Sequence, residues 1–96
     1  MSGATEELVS FELNEQKRRS NIDKHGIDFE DAAQALQLPR LEIQSDKNGE
    51  VRTLAICPDT NRLIAIIYTM GGQNCRIISA RAARKHEQQL YYESYT

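Results

Sequence analysis

Apolar and polar positions change their period twice along this chain. Residues 1–9 read as a loose tail with little to bury. "SFEL" (10–13) alternates, as a short edge strand does. "NEQKRRSNIDKHG" then turns helical: Asn14 suits the N-cap, Glu15 the first turn, and Gly26 the left-handed residue that ends a helix. "IDFEDAAQAL" starts a second helix, capped by Asp28. Glu30 and Asp31 stand at its positive end, Phe29, Ala32, Ala33 and Leu36 on its apolar face, and Pro39 stops it. After that, alternation returns. "LEIQSD" (41–46), "VRTLAIC" (51–57), "RLIAIIYT" (62–69) and "CRIIS" (75–79) predict four strands. They are separated by turn chemistry at Asn48-Gly49, "PDTN" (58–61) and "MGGQN" (70–74). From Ala80 to about Tyr92 the chain reads as helix again.

The predicted order is β-α-α-β-β-β-β-α. Short links between the later strands favour an antiparallel β-meander with the helices packed on one face, an α+β domain over residues 10–96. No internal repeat or low-complexity tract interrupts it.

Composition narrows the class. With 40% apolar and 27% charged residues in 96, the chain is globular, and no apolar run is long enough to span a bilayer. The polar start lacks the apolar core of a secretory signal, so the expected location is cytoplasmic, with Cys57 and Cys75 as reduced thiols. No Asp/Glu/His cluster predicts a metal and no Gly-rich motif predicts a nucleotide cofactor.

Charge changes the picture more. The net of −2 argues against tight nonspecific binding of nucleic acid, but it hides an asymmetry. Residues 1–50 hold six Lys/Arg against eleven Asp/Glu, whereas residues 51–96 hold six against three. Within the basic half, "RIISARAARKHE" (76–87) places Arg76, Arg81, Arg84 and Lys85 before its first acid. Helical spacing puts Ala83, Glu87, Leu90 and Tyr91 on a sheet-facing stripe, and Arg81, Arg84, Lys85 and Gln88 on another. Arg81 falls in the first turn, where a cation does not suit the helix dipole but does suit an anion site. Arg84 and Lys85 read as solvated surface. For Arg76 and Arg81, structural pairing (Arg81 with Glu87, for example) and anion recognition both remain open. Lys24 and His25 complement the negative end of their helix, which accounts for them without function. Lysine and imidazole beside a sharp turn are also phosphate-binding and proton-transfer groups.

Taken together, "FELNEQKRRSNIDKHGIDFEDAA", Arg52, "AIIYT" and "RIISARAARKHEQQLYY" resemble the BrnT family, the toxin halves of BrnT/BrnA toxin–antitoxin pairs. The likeness covers about residues 10–92. It rests on Asn21, Lys24-His25-Gly26, Phe29, Ala32, Arg52, Tyr68-Thr69, Arg76 to Arg81, Ala83, Glu87 and Tyr91. The resemblance implies a RelE-like fold and an endoribonuclease that cuts RNA without a metal ion. It also implies a BrnA-like antitoxin that neutralises the toxin, carries the pair to DNA, and is compatible with a dimer in the complex. The positions that match the motif are Lys24, His25, Arg52, Arg76, Arg81, Glu87 and Tyr91, and the resemblance does not say which of them are catalytic. Metal-free cleavage chemistry would place Arg52, Arg76 and Arg81 around the phosphate, with Lys24 as a further contact, His25 as the acid–base group and Glu87 as the orienter of an arginine. Tyr68 and Tyr91 read as core residues that could also donate hydrogen bonds. His86 receives no role. The chain departs from the family pattern at Leu13-Asn14, where Trp-Asp is usual; a tryptophan there could serve as core, interface or base-stacking platform, so its loss bears on any stacking role, while Asn14 still caps a helix. Cys57 stands near a usual glycine, and the 40–50 connection is short. The competing class is a non-enzymatic interaction module, or an inactive toxin relic, acting in repression with a DNA-binding partner. Loss of single arginines should hardly affect such a module.

Overall fold

The computed structural model describes residues 10–47 and 49–95. The tail at 1–9 and the Asn48 half of the hairpin signal lie outside them. Eight elements follow the predicted order: β1 (Ser10–Glu12), α1 (Glu15–His25), α2 (Phe29–Ala35), β2 (Leu41–Lys47), β3 (Glu50–Asp59), β4 (Arg62–Gly71), β5 (Asn74–Ala82) and α3 (Lys85–Tyr95). Among the described residues no helix is long and apolar enough to cross a membrane.

Local chemistry explains the helix ends. The Asn14 side chain accepts the Lys17 N–H, and Gly26, at φ 71°, donates its N–H to Ile22 and ends α1. Asp28 caps α2 by accepting the Glu30 N–H. The strands run longer than alternation alone indicated. β3 continues through Pro58 and Asp59, leaving a two-residue turn whose Asn61 adopts φ 66°. A proline is tolerated there because β2 begins opposite Ile56, so Pro58 lies beyond its end and has a free flank.

Five strands form one sheet in the order β1-β5-β4-β3-β2. Tight turns force β2 to β5 into antiparallel pairs, as expected, but β1 pairs with β5 in parallel, Phe11 opposite Cys75. The sheet is therefore mixed and not a pure meander. No short turn constrains β1, which returns to the sheet through two helices and three strands.

The helices also divide between the two faces, correcting the one-sided packing. Ala55, Cys57, Ile64, Ile66, Tyr68 and Ile77 meet Ile27, Phe29, Ala32 and Leu36 in the main core, with Phe11 and Leu13 packed against it. Ile56 and Leu63, one residue out of phase on the same strands, and Ala83, just past the end of β5, meet Leu41, Leu54 and Tyr91 on the other face, under α3. Ile56 and Ile64 are fully buried on opposite sides, which explains the continuous apolar run in β4.

Among the residues of α1 only Asn21 is buried, so this helix is not held by an apolar stripe. Beyond Arg76, β1 no longer covers β5. There the Asn21 amide replaces a neighbouring strand: its Nδ2 donates to the Ala80 carbonyl at 2.8 Å, and its Oδ1 accepts the Ala80 N–H at 3.1 Å. Nδ2 also donates to the Ile27 carbonyl at 2.9 Å. Arg18 adds a two-bond clamp onto Asp28 at 2.8 and 2.9 Å, tying α1 to the start of α2.

Candidate functional site

Alternation along β5 would put Arg76 and Arg81, five residues apart, on opposite faces. A β-bulge prevents this. Ile67 pairs with Ser79 but Tyr68 pairs with Ile77, which leaves Ile78 unopposed and resets the alternation. Arg76 and Arg81 thus share the α3 face. Arg52 joins them, because Thr53, opposite Tyr68, faces the main core. The row across the sheet runs from Arg52 over β4 to Arg76, whose partner on β4 is Thr69.

Arg81 does not begin the last helix. It lies on β5 opposite Ala65, and α3 starts at Lys85. "SARAA" has high helix propensity, but pairing with Ile64 to Ile66 outweighs it. The anion-site argument from a helix terminus therefore does not apply to Arg81. Arg84 and Lys85 occupy that position instead, both exposed. Glu87 is the hinge of this corner: its Oε1 accepts the Arg84 N–H at 2.7 Å, one half of a capping box. The same carboxylate receives both Arg81 Nη groups, at 2.9 and 3.0 Å. Glu87 is 3% exposed. The Arg81 bond outweighs burial and holds its carboxyl below the usual range.

Arg52 and Arg76 are more open. Arg52 Nε bonds Glu50 Oε1 at 3.0 Å, and Arg76 Nη2 meets Glu50 Oε2 at 3.3 Å. Lys24 and His25, in the last turn of α1, lie around the edge of β5. With Lys17, Ser20, Asn21, Ile78 and Ser79 they line a cleft of about 230 Å³ beside the bulge. The candidate basic residues thus fall into three separate groups about β5: the Arg52–Arg76 pair, the Arg81–Glu87 corner and the Lys24–His25 cleft, whose lining includes none of the arginines.

The two tyrosines fall elsewhere. Tyr68 is in the main core, on the face opposite the arginines, and donates to Glu42 at 2.7 Å; burial, aided by that bond, pushes its phenol up to about 12. Tyr91 packs with the Ile56 cluster and tilts against Tyr95, ring centroids 4.6 Å apart. Cys57 and Cys75 are free and buried, and burial raises their thiols to about 12 and about 11, which leaves them protonated and poor nucleophiles.

Three residues escaped sequence reasoning as parts of this region. Glu50 was only a turn flank. Ser79 was a strand residue and an anchor of the resemblance, without a site role. Asn21 was an anchor of the family resemblance without a role, and as a poor helix former in mid-helix it carried a second signal; it joins the site's helix to its strand.

Glu87 and Asp28 both have carboxyls held below their ordinary values, chiefly by Arg81 and Arg18. A depressed folded pKa contributes stability above the unfolded value, near 4, and that stability is lost as pH falls further. Thermal melts from pH 6 to pH 3 are expected to fall, and Glu87→Gln should start lower at pH 6 and descend less steeply. A parallel descent in both proteins would remove Glu87 from the acid transition.

No curated protein matches the chain. One family model does, described as the ribonuclease toxin BrnT of type II toxin–antitoxin systems, over residues 13–87. The matched span contains Asn21, Lys24, His25, Arg52, Tyr68, Arg76, Arg81 and Glu87, and ends before Tyr91. With its α+β architecture of one mixed sheet and three helices, the chain belongs to the BrnT family of ribonuclease toxins from type II toxin–antitoxin systems.

Proposed function

We propose that this chain is a metal-independent endoribonuclease of RelE-like design, acting in the cytoplasm on RNA and neutralised by a BrnA-like antitoxin that also takes the pair to DNA. The observation that carries this reading is the bulge at Ile78, which turns Arg76 and Arg81 to the face that bears Arg52 and adjoins the Lys24–His25 cleft.

The chemistry follows from the donors. The substrate 2′-oxygen attacks phosphorus; the new P–O2′ bond forms as the P–O5′ bond breaks, leaving a 2′,3′-cyclic phosphate and a 5′-hydroxyl. One group must take the 2′ proton and another must protonate the leaving oxygen, while fixed cations offset the negative charge growing on the non-bridging phosphate oxygens. Guanidinium suits the last role because it stays charged and presents a planar fork to phosphate oxygens. Arg52, Arg76 and Arg81 take it, Lys24 adds a phosphate contact, and His25 fills one of the two proton-transfer roles, solvent water exchanging the other proton. Glu87 orients Arg81.

A binding-module reading draws on one observation: Arg52, Arg76 and Arg81 already have carboxylate partners. A cleavage assay separates the two. End-labelled RNA with the full chain and excess EDTA should yield cyclic phosphate ends. Arg76→Ala should slow this about tenfold, less than a fully enclosed donor would, because half of its side chain is open to water. No cleavage by folded protein, with or without ribosomes, would leave the binding module as the better account.

A further inference from the structure

Arg52 and Arg76 lie on strands separated by β4, about 10 Å apart. They nevertheless share one carboxylate. Glu50 leads β3, two residues before Arg52 and on the same face. Its two oxygens divide between the guanidinium groups, one each, at 3.0 and 3.3 Å. A carboxylate and the two non-bridging oxygens of a phosphodiester present the same feature to arginine: two acceptors sharing one negative charge. Glu50 therefore stands where such a diester would bridge the two arginines.

The hold is weak. Side chains of Glu50, Arg52 and Arg76 are 41%, 38% and 50% exposed, a range in which water screens ion pairs almost completely. We propose that Glu50 is an internal stand-in for the RNA phosphate: it occupies the Arg52–Arg76 pair in the free protein and is displaced when single-stranded RNA enters. This rests on the reading of those arginines as a phosphate site. Glu50 is then a competitor of substrate, and its charge lowers RNA affinity although it sits among cations.

The test is an anisotropy titration with a labelled, uncleavable 2′-O-methyl RNA, using the full chain, Glu50→Gln, Arg76→Ala and the double variant. Glutamine keeps the shape and removes the charge. Glu50→Gln is expected to bind about two- to fivefold tighter, and its plot of log K against log salt to steepen by about 0.7, as the site carries one more net positive charge against the RNA. In the Arg76→Ala background the gain should shrink, because the displaced partner is gone. If Arg76→Ala weakens binding but Glu50→Gln leaves it unchanged or weaker, the stand-in is overturned while the arginine site survives. If neither substitution changes binding, the arginines do not hold RNA, and both readings fall.

Discussion

Arg81→Ala is expected to cost about 3 kcal/mol of stability and, measured on protein that is still folded, about 10²–10³ in cleavage rate. The first figure follows from what the substitution leaves behind. Glu87 is nearly enclosed, and without Arg81 its carboxylate keeps, among the described residues, the Arg84 N–H and the weaker influence of His86. An uncompensated buried charge costs more than the intact pair contributes, so the loss exceeds that of any exposed arginine here. For a domain of this size it corresponds to roughly 12–24 °C in melting temperature. A chain of this length has about 5–14 kcal/mol of stability, so the variant should remain folded at 20 °C and its activity can be read there. Circular-dichroism melts beside a single-turnover assay make the distinction. A large fall in melting temperature with full activity per folded molecule would mark Arg81 as purely structural and confine the phosphate site to Arg52 and Arg76.

Asn21→Asp should destabilise the chain by about 3–5 kcal/mol although it changes one atom. The asparagine Nδ2 serves two carbonyls, those of Ile27 and Ala80, and an ionised aspartate offers them only acceptor oxygens. Its sign with pH is diagnostic. Repulsion and burial raise the folded pKa of the new carboxyl above the unfolded value of about 3.9. The variant is then least stable at neutral pH and recovers as pH falls toward that value, where the protonated form can donate once. The parent chain moves in the opposite direction as Glu87 and Asp28 protonate. Equal melts for Asn21→Asp and the parent at pH 7 would show that the β5 edge does not depend on this amide. Cleavage should fall with the fold, since the same contact fixes the Lys24–His25 turn beside Ser79.

Both substitutions act on β5, the strand around which the basic groups collect. Its inner edge is a ladder with β4 that the bulge at Ile78 interrupts, and its outer edge is divided between β1 and one side chain of α1. That division leaves the bulge at the boundary, where a strand partner would otherwise have enforced regular pairing. The position of the arginines thus depends on a local irregularity that neither charge nor composition records.

What the chain determined by itself lies within a few residues. Asn14, Gly26 and Asp28 carry their own capping chemistry, so both N-terminal helices could be placed from side chains that bond their nearest backbone. Short turns and alternation likewise specified the antiparallel run from β2 to β5, because two or three residues leave a strand no alternative but to fold back. The arginines and the Lys24–His25 pair could be named, though not arranged. Tertiary structure decided what depends on partners distant in sequence. The long return of β1 made its pairing parallel, and the β4 ladder kept Arg81 in a strand against its helix propensity. The bulge at Ile78 turned Arg76 to the face of Arg81, α3 took the face opposite α1 and α2, and Glu50 came to rest between two arginines from different strands. Local bonds are set by adjacent side chains and are legible in order. The face a side chain presents depends on summed register, and a single unopposed residue reverses it.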